Sequence, residues 1–171
     1  RRAGEPTESS DLRAPAVAAN ENGAADFVEA YTWYRDTQGQ PGFHERAVAP
    51  YEEWTERTWR DAAAHVQACR PFVDLLRRGA AARNYALNVS WEDGPNAVIV
   101  TIPLAQMAAD VLACEALVAV RSGEADRAAD AIALLLDVGN RQERYSLISF
   151  RVRLTVYVIA ARTIKAVARY P

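Results

Sequence analysis

Three small groups of side chains could do chemistry by their types and spacing. His65 and Cys69 stand four residues apart, so on a helix both leave one face, as a pair of metal ligands does. A tetrahedral site needs two further ligands, and the remaining candidates, His44 and Cys114, sit in no zinc-type spacing. A buried thiol beside a half-buried imidazole is therefore the expectation, with no metal and no cofactor. The stretch "YEEWTERTW" sets Glu52, Glu53 and Glu56 among Tyr51, Trp54 and Trp59. Aromatic platforms beside paired acids are what a carbohydrate cleft requires. Acids on the wet side and aromatics on the core side is also the ordinary amphipathic pattern, with Glu53 and Arg57 as a surface pair. "SWEDG" places Trp91 and Glu92 on a loop, where binding residues concentrate, while Asp93 before Gly-Pro serves as a turn cap. Trp54, Trp59, Trp91 and Glu92 form the candidate interaction or ligand surface.

Glu115 poses a different problem. It interrupts "VLACEALVAV", and Leu104, Ala108, Val111, Glu115 and Val118 fall on one helical stripe. A carboxylate in such a stripe must be protonated, paired or hydrogen-bonded, because a stranded buried charge is costly. The arginines of the equally apolar last helix, Arg151 and Arg153, are the expected partners, giving the pair an architectural role. The competing reading is an acid with a raised pKa available for general acid work. No phosphate loop, dinucleotide glycine fingerprint, nucleophile elbow or His-Glu-x-x-His motif is present, so no reaction can be named from motifs.

Composition bounds the rest. A chain of 171 residues, half of them hydrophobic, suffices for one domain with a sizeable core. The net charge of −2 hides an asymmetry. Residues 1–60 carry 11 acids and 7 bases, residues 61–140 carry 10 acids and 6 bases, and residues 141–171 carry 7 bases with Glu143 as the sole acid. The bases of the last segment are spread through an apolar helix rather than blocked together, and they lack the Gly and aromatic interleaving of single-strand binders, so nucleic acid is not the expected partner. No transmembrane run is expected: Leu154–Ala161, read as the most apolar stretch, is far short of the ~20 residues a span needs. The first residue is Arg1 rather than Met, which points to a segment upstream; the location stays open, with the periplasm or the cell envelope as the readings such a segment would allow. Cys69 and Cys114 are expected to be reduced and buried on apolar helical faces.

The elements that must position these residues are helical. Residues 1–22 lack a hydrophobic period and read as a flexible leader; residues 23–171 form the helical domain. Phe27, Ala30, Tyr31 and Tyr34 lie on one helical face, with Asn22 as cap. A long helix is expected from about Pro50, kinked or restarted at Pro71 and running to about Arg83. "AVIVTI" reads as a short extended segment within an irregular loop near the middle. Leu104–Ser122 is a helix ended by Gly123, which is expected at positive φ. A returning arm carries Ala128, Ala131, Ile132 and Leu135 on one face before "GN" breaks it, and a last long helix runs from Tyr145 to about Arg169. The fold class is thus all-α, about five helices packed as a bundle or hairpin stack.

The arrangement of Ala116, Gly123 and Ala128 resembles one tetratricopeptide-type hairpin, with Leu112 and Ala119 where that repeat usually has Trp and Tyr. More widely, "ENGAADFVEAY", "SWEDGPN" and "LACEALVAVRSGEADRAADAIALLLDVGN" followed by "SLIS" resemble a family of uncharacterised bacterial proteins common in planctomycete-type genomes. That resemblance implies a helical fold and a bacterial source, and implies no reaction. The function expected is a non-enzymatic helical scaffold or accessory subunit that binds a protein partner; the alternative is a glycan- or small-molecule-binding module, or a hydrolase.

Overall fold

The computed structural model describes residues 17–18, 21–38, 51–86, 101–141 and 147–170. Among the described residues the chain is helical, with six α-helices rather than about five and no strand: α1 Ala24–Gln38, α2 Glu56–Ala68, α3 Arg70–Ala81, α4 Thr101–Arg121, α5 Ala125–Asn140 and α6 Leu147–Val167. The extra helix comes from the long second segment, which is divided at Cys69. There the backbone leaves the helical path (φ −85°, ψ 6°), and Pro71 enters the first turn of α3, where an amide would have no partner to lose. The start of that segment also differs from the expectation. Tyr51–Glu53 is a single 3-10 turn, and α2 begins only after Thr55, whose hydroxyl accepts from the Thr58 amide at 3.2 Å. A side-chain cap fixes a helix start more firmly than a proline does.

Asn22 does more than cap α1. Its Oδ1 accepts from the amides of Ala24 at 3.1 Å and Ala86 at 2.9 Å, and its Nδ2 donates to the Ala86 carbonyl at 2.9 Å. Glu21 and Gly23 exchange backbone hydrogen bonds with Asn84. The last two residues of the segment read as a leader are thereby tied to the chain leaving α3. Within this pair of helices Phe27, Tyr34, Phe72 and Leu76 are buried, and the Tyr34 and Phe72 rings stand 5.0 Å apart.

Helix α4 is the axis, packed against every other helix and most extensively against α5 and α6. It overturns two expectations. Thr101 and Ile102, read as the end of an extended segment, form its first turn together with Pro103; alanine and leucine beyond the proline outweigh the local β-branched preference. The rest of "AVIVTI" lies outside the described residues. Among the described residues the helix long and apolar enough by composition to cross a membrane is Ile102–Arg121, with mean hydropathy 1.5, and not the stretch in α6. Its apolar sides are satisfied by protein: Leu104, Ala105, Ala108, Ala109, Val111 and Leu112 are at most 1 % exposed.

The hairpin between α4 and α5 closes as the sequence predicts. Gly123 has φ +78°, its amide donates to the Val120 carbonyl and that of Glu124 to the Ala119 carbonyl, the two bonds of a Schellman turn. Ala116, Ala119, Ala128 and Ala131 then pack as a cluster of small side chains between the two arms. "GN" does not end α5, which continues through Asn140. Gly139 sits in its last turn, where an added Cβ would press on Val156 and Tyr157 of α6; glycine serves there for close approach and not as a breaker.

The turn yields the first test. An added methyl at Gly123 meets no atom within 4 Å, so Gly123→Ala carries a purely backbone penalty of about 1 kcal/mol. Urea melts should show a loss of that size, with Gly123→Asn milder because Asn tolerates the left-handed region better.

Candidate functional site

Glu115 lies in the C-terminal half of α4 and is 4 % exposed. Two guanidiniums from flanking helices converge on its Oε1: Arg77 Nη2 of α3 at 3.4 Å and Arg127 Nε of α5 at 3.2 Å. The expectation of a buried, paired carboxylate stands, but the partners expected from α6 are wrong. Arg151 is on the exposed side of α6, and Arg153 places its guanidinium 5.6 Å from the Phe150 ring centroid. The reason is rotational: α6 buries Ser149, Val152, Val156 and Ala160, and Arg151 falls outside that face. Arg77 and Arg127 were missed because neither sits in an apolar run. The signal available for Arg127 was the hairpin itself, which folds the first turn of α5 back beside the last turns of α4.

Around this triad is a cavity of about 230 Å³ walled by Val66 of α2, by Arg70, Val73, Asp74 and Arg77 of α3, by Glu115 and by Arg127. Arg77 also meets Asp74 at 3.5 Å, and Arg127 meets Glu124 at 3.1 Å. Burial lowers the pKa of the Arg127 guanidinium, but its hydrogen bonds to Glu124 and Glu115 more than offset that and raise it overall. Oε2 of Glu115 is buried without a hydrogen-bond partner among the described residues.

The aromatic candidates build a packed corner instead of an open platform. Trp54 and Trp59 meet edge to face at 4.7 Å, and the Arg121 guanidinium lies 4.6 Å from the Trp59 ring centroid. Tyr170 closes on Trp59 from the end of the chain at 6.4 Å. Trp54 packs on Ala62, Val66 and Cys114, and Arg121 pairs with Glu56. Glu53 is exposed, and Arg57 pairs with Asp61, not with Glu53. Trp91, Glu92, Asp93 and His44 lie outside the described residues.

His65 and Cys69 do meet, with Sγ 3.7 Å from Nε2, yet no group of three or more His, Cys, Asp or Glu able to hold a metal occurs among the described residues. Both cysteines are buried and free. Burial pushes the Cys69 thiol up to about 11 and the Cys114 thiol up to about 12.

The remaining feature is the outer face of α6. Leu147, Ile148, Phe150, Leu154, Val158 and Ile164 are between 44 % and 76 % exposed. Leu147, Phe150, Leu154, Val158 and Ala161 recur at helical spacing and form one stripe opposite the buried face. Their exposed area is on the order of 500 Å², the scale at which an apolar patch on a monomer is commonly functional. Against protein-family models, curated proteins and solved structures, the chain has no match.

The thiols provide a second test. At pH 8 iodoacetamide should leave both cysteines unmodified in the folded protein and alkylate both in urea, as read by intact mass. Their folded pKa values lie above the ordinary 9.0. The unfolded state therefore ionises first, and stability present below pH 9 should fall as pH rises toward 11 to 12.

Proposed function

We propose that this protein is a non-enzymatic interaction module that holds the acidic amphipathic helix of a partner protein along the outer face of α6. The observation that carries the reading is the apolar stripe from Leu147 to Ala161 on a helix whose other side is already used by the core. Helix α6 is 21 residues long, about 30 Å, a length suited to a helix laid alongside. Its charges choose the partner. Arg151, Arg153, Arg162 and Lys165 accompany the stripe, and α6 contains no acid. A second copy of the same helix would bring like charges together, whereas a helix flanked by Glu or Asp pairs with them. The likeness of the α4–α5 hairpin to a tetratricopeptide unit supports the same reading, since such units present helix faces to proteins.

Two labelled helical peptides with the same leucine seam, one flanked by Glu and one by Lys, test this by fluorescence anisotropy. The Glu peptide should bind and weaken with salt, and the Lys peptide should not bind. Leu154→Asp should reduce binding at least tenfold with an unchanged melt, because Leu154 is not in the core. Equal affinity for both peptides, binding to anionic vesicles in preference to the Glu peptide, or dimerisation through this face in sedimentation experiments would overturn the reading.

A further inference from the structure

We infer that the partner helix is selected by two carboxylates three turns apart on a single edge of its apolar seam, taken by Arg151 and Arg162. The inference rests on the reading of the outer face of α6 as a docking surface, and adds which of its charges choose the partner.

The two edges of the apolar stripe are unlike. Arg151 and Arg162 are eleven residues apart. Eleven residues make close to three helical turns, so both leave α6 on one edge, about 16 Å apart along its axis. The stripe keeps the same period, with Val158 eleven residues after Leu147 and Ala161 eleven after Phe150. Such a period drifts little against a straight helix, so each arginine keeps the same place beside the seam. Both are exposed and form no ion pair among the described residues. Their separation exceeds the screening length of about 8 Å in physiological salt. One acid midway between them cannot serve both, and each needs its own.

The opposite edge is already occupied. It carries Tyr157, whose hydroxyl donates to Asn140 of α5 at 2.6 Å. Arg153 lies on the same side, half-buried, with its guanidinium 5.6 Å from the Phe150 ring centroid, a cation already placed beside a ring of its own helix. Lys165 comes eleven residues after Leu154, in line with the seam, and closes its end. The edge turned away from α5 is therefore the one with two free, evenly placed guanidiniums, and a planar guanidinium suits a carboxylate.

Fluorescence anisotropy at physiological ionic strength tests this, with the whole chain and two labelled helical peptides of equal composition and the same leucine seam. One peptide carries two Glu eleven residues apart; the other carries them thirteen apart, which turns the second onto the opposite edge. The first should bind about threefold more tightly, the scale of one exposed ion pair. Arg151→Glu and Arg162→Glu together should reverse the preference, so that a peptide with two Lys at the eleven-residue spacing binds better than its Glu counterpart. The melt should stay unchanged, because both positions are exposed. Arg153→Glu should leave the order of the peptides as in the native chain. Equal affinity for the two Glu spacings, or a preference reversed by Arg153→Glu and not by the paired variant, would overturn the inference and leave the acidic-helix reading standing. Failure of both Glu peptides to bind the native chain would overturn the two together.

Discussion

The buried carboxylate of Glu115 constrains the fold more than any other single group. It sits in the central helix among alanine, valine and leucine, and its charge is tolerable only where guanidiniums reach it. Arg77 comes from α3 and Arg127 from α5, so one oxygen fixes the rotation of α4 with respect to both neighbours. Hydrophobic packing alone is permissive about such rotations, because an alanine-rich surface offers many similar fits. Sliding α5 by one turn would carry Arg127 about 5 Å from its acceptor and leave the charge uncompensated.

Close packing of α4 follows from the same composition. Ala105, Ala108, Ala109, Ala116 and Ala119 are fully buried and let neighbouring helices approach on several sides, while Gly139 does the same service where α5 meets α6. Arg141 locks the far end of α5, donating to Asp137 at 2.7 Å and to the Ala80 carbonyl of α3 at 2.7 Å. Because α4 takes the centre, α6 can bury only one of its two apolar faces. The other remains outside with its arginines, and that surplus is what the proposed function uses.

Much of the architecture was legible in the sequence because local signals agreed there with tertiary packing. The Gly123 turn, the Asn22 cap, the helical class and the burial of Glu115 all rest on short-range rules. The failures came where two local rules competed. The proline signalled a kink or restart at Cys69–Arg70–Pro71 without deciding between them, and the restart makes six helices, while Gly139, a breaker by propensity, was needed for its lack of a side chain. "TI" before Pro103 looked extended, but it starts a helix because alanine and leucine come next in the chain. The partners of Glu115 were not legible, since apolar surroundings identify a charge that needs a partner without saying which helix supplies it. Trp54 and Trp59 read as an interaction surface in the sequence, and only the folded chain shows them packed on each other with Arg121 and Tyr170 closing over Trp59.

The control of helix register by Glu115 is tested most directly by a double-mutant cycle between α4 and α5. The stabilities of the native protein, Glu115→Gln, Arg127→Met and the double variant would be measured in urea at low ionic strength. A coupling energy of about 1 kcal/mol or more between the two positions is the predicted result, since they share a partly desolvated ion pair. Additivity within about 0.5 kcal/mol would contradict it, and would mean that the small-residue packing of the hairpin sets the register without the charge.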